Sequence, residues 1–282
     1  MTYSPSSNIE TTPIGIEHLT KFYHDASNLT NRTTASFDIT NVANFDANLS
    51  AAFLAINYKL YHSHQIPSRF NIGNGHGIFY RNGLISHMSG HGNNNENIDN
   101  RESTIPLRTY STAEDDNFSA YIKAEFLKHR GLDGLPLTKK NIIKDHYLEI
   151  FTNVDLHANT IAPIFVCGQF YPANKALKFT LADLGQGFLP AISAKQSAIT
   201  DEKTAIIWAT KDRNTTKDPS SGPGGTGLKD LKQYCFDNNG SLQICCGTGF
   251  VTFTAGRPIP IENNLRYPFP GTLINIIFRN IF

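Results

Sequence analysis

Three polar constellations stand out in this 282-residue chain, and each combines residue types that chemistry uses. Glu149, Asn153 and His157 recur at i, i+4 and i+8 in a stretch where Ile143, Tyr147, Ile150 and Val154 follow spacings of four, three and four. That spacing predicts an amphipathic helix over 137–157, with the three polar residues on one stripe, successive members about 40° apart around the axis. Such a stripe can offer a carboxylate to a water and an amide oxygen to Mg2+, or it can simply be the solvated face of the helix.

The second constellation is Ala-Asp-Leu-Gly-Gln-Gly at 182–187, directly after a predicted strand in which Leu177, Phe179 and Leu181 point one way. Alternation turns Asp183 to the same buried face, where an unpartnered carboxylate is costly and needs a donor. An adenine amino group can be that donor, with Gly185 and Gly187 letting the backbone approach a flat ring; an ordinary Asp-Gly turn is the alternative. The third is Ser-Ser-Gly-Pro-Gly-Gly-Thr-Gly-Leu at 220–228, opening a helix that continues Lys-Asp-Leu-Lys-Gln-Tyr-Cys. Glycines before a helix N-terminus present backbone N–H groups to an anion such as phosphate; a flexible loop with a helix cap is the alternative. No Gly-Lys-Ser/Thr follows, so this is not a Walker A loop, and the flanking strand of a Rossmann fingerprint is missing.

The elements that must position these residues are readable from hydrophobic period. The length suits two domains, each with its own core. After a polar lead-in at 1–32 with a short helix near 16–23, Ala35, Phe37 and Ile39 alternate as in a strand. A helix over 46–64 follows, with Leu49, Phe53, Ile56 and Leu60 on one face and Asp46 as N-cap. A strand at 67–72, a helix at 75–85 and a strand at 104–110 complete a small strand-helix-strand-helix domain. The stretch 89–103 is almost free of apolar residues and reads as a long solvated loop. The boundary is placed after Tyr110, giving units 1–110 and 111–282. In the second unit the pattern predicts helices at 118–129 and 137–157 and strands at 161–170 and 176–182. Short helices at 189–194 and 201–210 follow, then strands near 242–245, 251–254 and 272–278.

Composition limits the function classes. With 25 Lys and Arg against 24 Asp and Glu, the net charge is +1, and no basic run marks a nucleic-acid surface. No apolar run is long enough to span a membrane, and the N-terminus has no signal-peptide pattern, so a soluble cytoplasmic protein is expected. Cys167, Cys235, Cys245 and Cys246 form no Cys-x-x-Cys pair and are expected to be reduced. His62 with His64 and His87 with His91 have spacings a metal could use, but no cluster completes a site around them.

The three constellations occur in the order in which GHKL ATPases carry their N, G1 and G2 boxes, and the C-terminal part, about residues 113–282, resembles that family. Leu-Glu-Ile-Phe-Thr-Asn-Val-Asp-Leu-His-Ala at 148–158 is similar to the N box, Asp-Leu-Gly-Gln-Gly to G1 and Gly-Gly-Thr-Gly-Leu to G2; Pro-Gly-Thr at 270–272 is similar to the family's closing segment. The resemblance implies an α+β, α/β fold: a two-layer α/β sandwich of the Bergerat type that binds ATP with Mg2+. It implies Asp183 on the adenine amino group, Thr272 supporting that pocket, Asn153 as Mg2+ ligand and Glu149 as the residue that orients or deprotonates water. Gly185 and Gly187 would make room for the base, and Gly225, Thr226, Gly227 and Leu228 would cap the phosphates. Residues 208–223 would form a lid from which Lys217, or Lys229 just beyond, reaches a phosphate.

Residues 33–110 resemble a STAS domain through the strand at 35–39 and the helix entry at 45–49. In that family's anti-sigma-factor antagonists a phosphorylated serine starts this helix; here the turn reads Asp46, Ala47, Asn48, and Ser50 lies too far along. The expectation is a regulatory ATPase whose nucleotide state switches how the STAS-like domain meets a protein partner. A serine or histidine kinase of the anti-sigma or two-component type, and a nucleotide-binding module without turnover, are the alternatives. The resemblance also admits an ATP-dependent homodimer.

Overall fold

The computed structural model describes residues 1–30, 33–73, 75–94, 99–211 and 227–279. The chain is of mixed α/β class, with a parallel three-stranded sheet and an antiparallel five-stranded one. The first comprises β1 (Thr2–Tyr3), α1 (Pro13–Ser27), β2 (Ala35–Asp38), α2 (Ser50–His64) and β3 (Ser68–Asn71), in sheet order β1-β2-β3. Parallel pairing requires crossovers, and α1 and α2 are those crossovers. The lead-in is thus more ordered than its polarity suggests: Thr12 caps α1 by accepting from the Gly15 N–H at 3.2 Å, and Pro13 occupies the first turn.

The expected helix at 75–85 is two short ones, α3 (Ile78–Arg81) and α4 (Leu84–Met88), divided at Gly83, whose φ is 91°. The strand β4 (Thr104–Tyr110) then does not join the parallel sheet. It pairs antiparallel with β5 (Ile164–Tyr171), so the larger unit begins before 104 and not after Tyr110. Of the loop expected at 89–103, positions 95–98 lie outside the described residues. At its far end the Asp99 carboxylate accepts the Ser103 and Thr104 N–H groups, each at 2.7 Å, and pairs with Arg81.

The large sheet runs β4-β5-β6-β8-β7, with β6 (Ala176–Asp183), β7 (Ser241–Thr254) and β8 (Ile261–Arg279). The last two are longer than the separate strands expected from the pattern and make a hairpin with irregular register at Cys246/Gly247 and Gly247/Gly249. Helices α5 (Asp115–Tyr121), α6 (Leu137–His157) and α9 (Gly227–Asp237) cover one face; α7 (Leu189–Lys195) and α8 (Glu202–Ala209) lie between β6 and α9 in sequence.

Strand alternation sorts the sheet between two cores. Ile164, Val166, Leu177, Phe179, Leu181, Ile244, Ile274 and Ile276 face α5, α6 and α9, packing with Phe118, Phe126, Tyr147 and Phe151. Phe165, Cys167, Ala182, Cys245 and Leu273 face the other way and pack with Phe22, Phe37, Phe53 and Ile56 of the N-terminal elements. The expectation of a separate core for each half is therefore corrected: the second core is shared, and the N-terminal elements form a third layer on the sheet.

A polar seam fixes that layer. The Asp46 carboxylate, 1% exposed, accepts from the Thr11 N–H and hydroxyl at 2.7 Å, from the Tyr171 hydroxyl at 2.7 Å and from the Lys178 ammonium. It makes no side-chain cap on the helix, contrary to the N-cap expectation. Burial works against the Asp46 charge, but Lys178 and the hydrogen bonds outweigh it and hold the carboxyl below its usual range. Beside it, the Asn48 amide donates to the Thr180 hydroxyl at 2.8 Å, and Thr180 donates to Asn275 Oδ1 at 2.6 Å. Asn48 and Ser50 are both fully buried. Among the described residues, no helix is long and apolar enough to cross a membrane. All four cysteines are free and buried.

Candidate functional site

Asp183 ends β6 on the helix-covered face, where alternation from Leu177, Phe179 and Leu181 puts it, and it is 3% exposed. Its carboxylate accepts the Gly185 N–H at 2.8 Å and hydrogen bonds from Thr272, its cross-strand neighbour on β8. Burial pushes the Asp183 carboxyl up to about 6, while the Gly185 and Thr272 hydrogen bonds pull the other way by favouring the charged form. Cys246 is the next residue in the same cross-strand row, opposite Thr272 on β7.

Glycines make this corner possible. At Gly271 a Cβ would lie 2.0 Å from the Asp183 carbonyl oxygen, so the close approach of β8 to the end of β6 requires glycine. At Gly185 a Cβ would meet the Cβ of Ala158 at 2.4 Å, and the Gln186 N–H donates to the Ala158 oxygen at 2.8 Å. Gly187, at φ +75°, would place a Cβ 2.1 Å from the Cys246 sulfur. The room these two glycines leave, expected for a base, is taken on the side where a Cβ would project by the end of α6 and by a thiol. Glu202 of α8 completes the corner: its carboxyl hydrogen-bonds the Cys246 thiol, and burial raises its pKa.

The other expected residues gather at a second point. On α6, the Glu149 carboxylate accepts the N–H of Gly227, the first residue of α9, at 2.7 Å. A Cβ on Gly227 would sit 2.5 Å from the carboxyl carbon of Glu149, so glycine is needed for this contact. Leu228 is not free to meet a ligand; it is 9% exposed and packs in the helix-side core. Asn153, one turn after Glu149, is half-buried, and its amide makes no hydrogen bond among the described residues. Lys217, Gly225, Thr226 and most of the expected lid lie outside the described residues, as does the His157 side chain.

Helix α6 joins the two points. Ala158, against Gly185, is nine residues beyond Glu149, against Gly227. At about 1.5 Å per residue the two ends of the site stand roughly 13 Å apart along the axis, with Asn153 between them. Sequence reasoning did not find Ala158, Cys246, Glu202 or Gly271. The signals were the Pro-Gly-Thr run, which holds Gly271 but drew attention to Thr272, and the 148–158 stretch, which ends on Ala158 but drew attention to Glu149 and Asn153.

Among the described residues no group of three His, Cys, Asp or Glu could hold a metal ion. A Mg2+ site of another kind needs fewer protein oxygens, because Mg2+ keeps several waters and takes phosphate oxygens. The amide of Asn153, which makes no hydrogen bond among the described residues, fits that role. Comparison with protein-family models, with curated proteins and with solved structures gave no match.

Proposed function

We propose that this chain is a Mg-ATP-binding regulatory ATPase of the GHKL type, carrying a STAS-like N-terminal layer through which nucleotide state affects a protein partner. The observation that carries the reading is the spacing along α6. A buried carboxylate able to accept from a base amino group lies near one end, and a helix N-terminus with a glycine at its first residue lies nine residues back. Base, ribose and a phosphate chain extend over a distance of that order. The charge pattern fits as well: Asp183 accepts, and the α9 N–H groups donate to an anion.

In this reading Asp183 binds the base edge and Thr272 holds the Asp183 carboxyl in place. Asn153 holds Mg2+, which when bound neutralises phosphate charge. Glu149 orients the water. The N-terminal layer meets its partner on its outer surface, since Asn48 and Ser50 are enclosed against β5 and β6 and cannot accept a phosphoryl group there. Phosphate release from Mg-ATP tests the reading. It should be abolished in Glu149→Ala while nucleotide binding is kept; release unchanged in that variant would remove Glu149 from the mechanism. Binding without turnover is the second reading, favoured because Glu149 is engaged on Gly227. It predicts binding and no release in the unmodified chain.

A further inference from the structure

The contact between Glu149 and α9 has a regulatory consequence, which rests on the nucleotide-binding reading. We propose that Glu149 occupies its own chain's phosphate position when no nucleotide is bound, so that a phosphate must displace it.

Three observations lead here. The first-turn N–H groups of a helix have no partner within the helix and carry partial positive charge. In α9, an 11-residue helix, the first of these N–H groups is already bonded to an anion, Oε1 of Glu149, at 2.7 Å. Gly227 leaves open the space in which that carboxyl group sits, 2.5 Å from where a Cβ would be. One turn along α6, Asn153 is a half-buried amide with no hydrogen bond among the described residues, which offers a polar group beside the cap. A carboxylate and a phosphate need the same donor and repel each other, and both cannot hold it.

The closed arrangement therefore lowers apparent affinity by the fraction of molecules in which Glu149 is seated. A cap of this kind corresponds to about a fivefold effect. Displacement also releases the carboxylate at the moment phosphate arrives, which is when a water needs orienting.

The test uses the full chain, Glu149→Gln and Glu149→Asp, with a non-hydrolysable Mg-ATP analogue and adenosine as calorimetric probes. Aspartate keeps the charge but is one methylene too short for the Gly227 contact. Both variants should bind the analogue about fivefold or more tightly than the unmodified chain, with adenosine affinity unchanged. Without ligand, Glu149→Asp should melt lower by about 2–4 °C, because the cap is lost, and Glu149→Gln should fall by less, because its amide oxygen still accepts from Gly227. If Glu149→Asp binds the analogue as the unmodified chain does, ordinary charge repulsion is at work and the inference is overturned; an unchanged melting temperature in both variants overturns it too. Equal binding by all three proteins defeats the self-blocking inference alone. No binding by any of them removes the nucleotide-binding reading, and this inference with it.

Discussion

Replacing Asp183 with asparagine should separate what the buried carboxyl costs from what it does. Its pKa in the folded chain is raised from 3.8 to about 6, chiefly by burial. A raised pKa means that the folded state binds the proton more tightly than the unfolded state does. Folding stability therefore falls as pH rises from about 4 to about 6, and is flat above that range. Integrating between pH 4.5 and 7.5 gives about 2 kcal/mol of stability lost by ionising Asp183. Asparagine has the same shape and no charge. It places an amide N–H2 toward the Gly185 and Thr272 donors, which costs roughly 1–3 kcal/mol whatever the pH. That constant offset drops out when the same pair is compared at two pH values. Melting curves at pH 4.5 and 7.5 should thus show the difference between the two proteins moving toward the variant by about 4–8 °C. The reasoning is refuted if the difference is the same at both pH values, since Asp183 would then not titrate as a buried, destabilised carboxylate.

Three further outcomes follow from the geometry. Gly185→Ala should destabilise the chain by more than about 1 kcal/mol in chemical denaturation, because its Cβ meets both the side chain and the carbonyl of Ala158; a neutral effect would mean that the end of α6 is not packed there. Mg-ATP affinity measured by calorimetry should fall as pH drops below about 6, because protonation turns Asp183 from a charged acceptor of the base amino group into a weaker neutral one, and a flat profile would place the base elsewhere. Asp46→Ala should cost roughly 3–5 kcal/mol at pH 7 in urea denaturation, by leaving the Lys178 ammonium in the seam without its carboxylate. The Asp46 pKa is lowered in the folded chain, so its contribution is present above about pH 4 and lost as pH falls further, and the variant should lose less stability than the unmodified chain on acidification.

Much of the candidate site was legible because local period determines it. The α6 stripe, the β6 alternation and the placement of Asp183 need only a helix of 3.6 residues per turn and a strand of two. The sheet to which β4 belongs was not legible, since the seven residues of the strand show neither which neighbour it pairs with nor the register shift between Ile105 and Arg108. The long hairpin exceeds the strands expected near 242–245, 251–254 and 272–278, and it runs through Gly247, Gly249, Pro268 and Pro270, residue types that are unusual inside a strand. In the fold the glycines lie against Glu202 of α8, and the register shifts around them. Asp46 precedes a helix and has the type of an N-cap, yet long-range contacts with Lys178 and Tyr171, more than 120 positions away, decide its role. The same limit hid the third layer: the polar seam is built from Thr11, Asn48, Thr180 and Asn275, none of which is near another in sequence.

The central claim is that this corner and the α9 terminus together hold Mg-ATP. Thermal unfolding with and without Mg-ATP, in the unmodified chain and in Asp183→Asn, addresses it most directly. Nucleotide at a hundred times its dissociation constant stabilises a protein by about 2.7 kcal/mol. The unmodified chain should therefore melt several degrees higher with millimolar Mg-ATP, and Asp183→Asn should not respond. An unmodified chain whose melting curve stays in place, or an asparagine variant that shifts equally, would contradict the account.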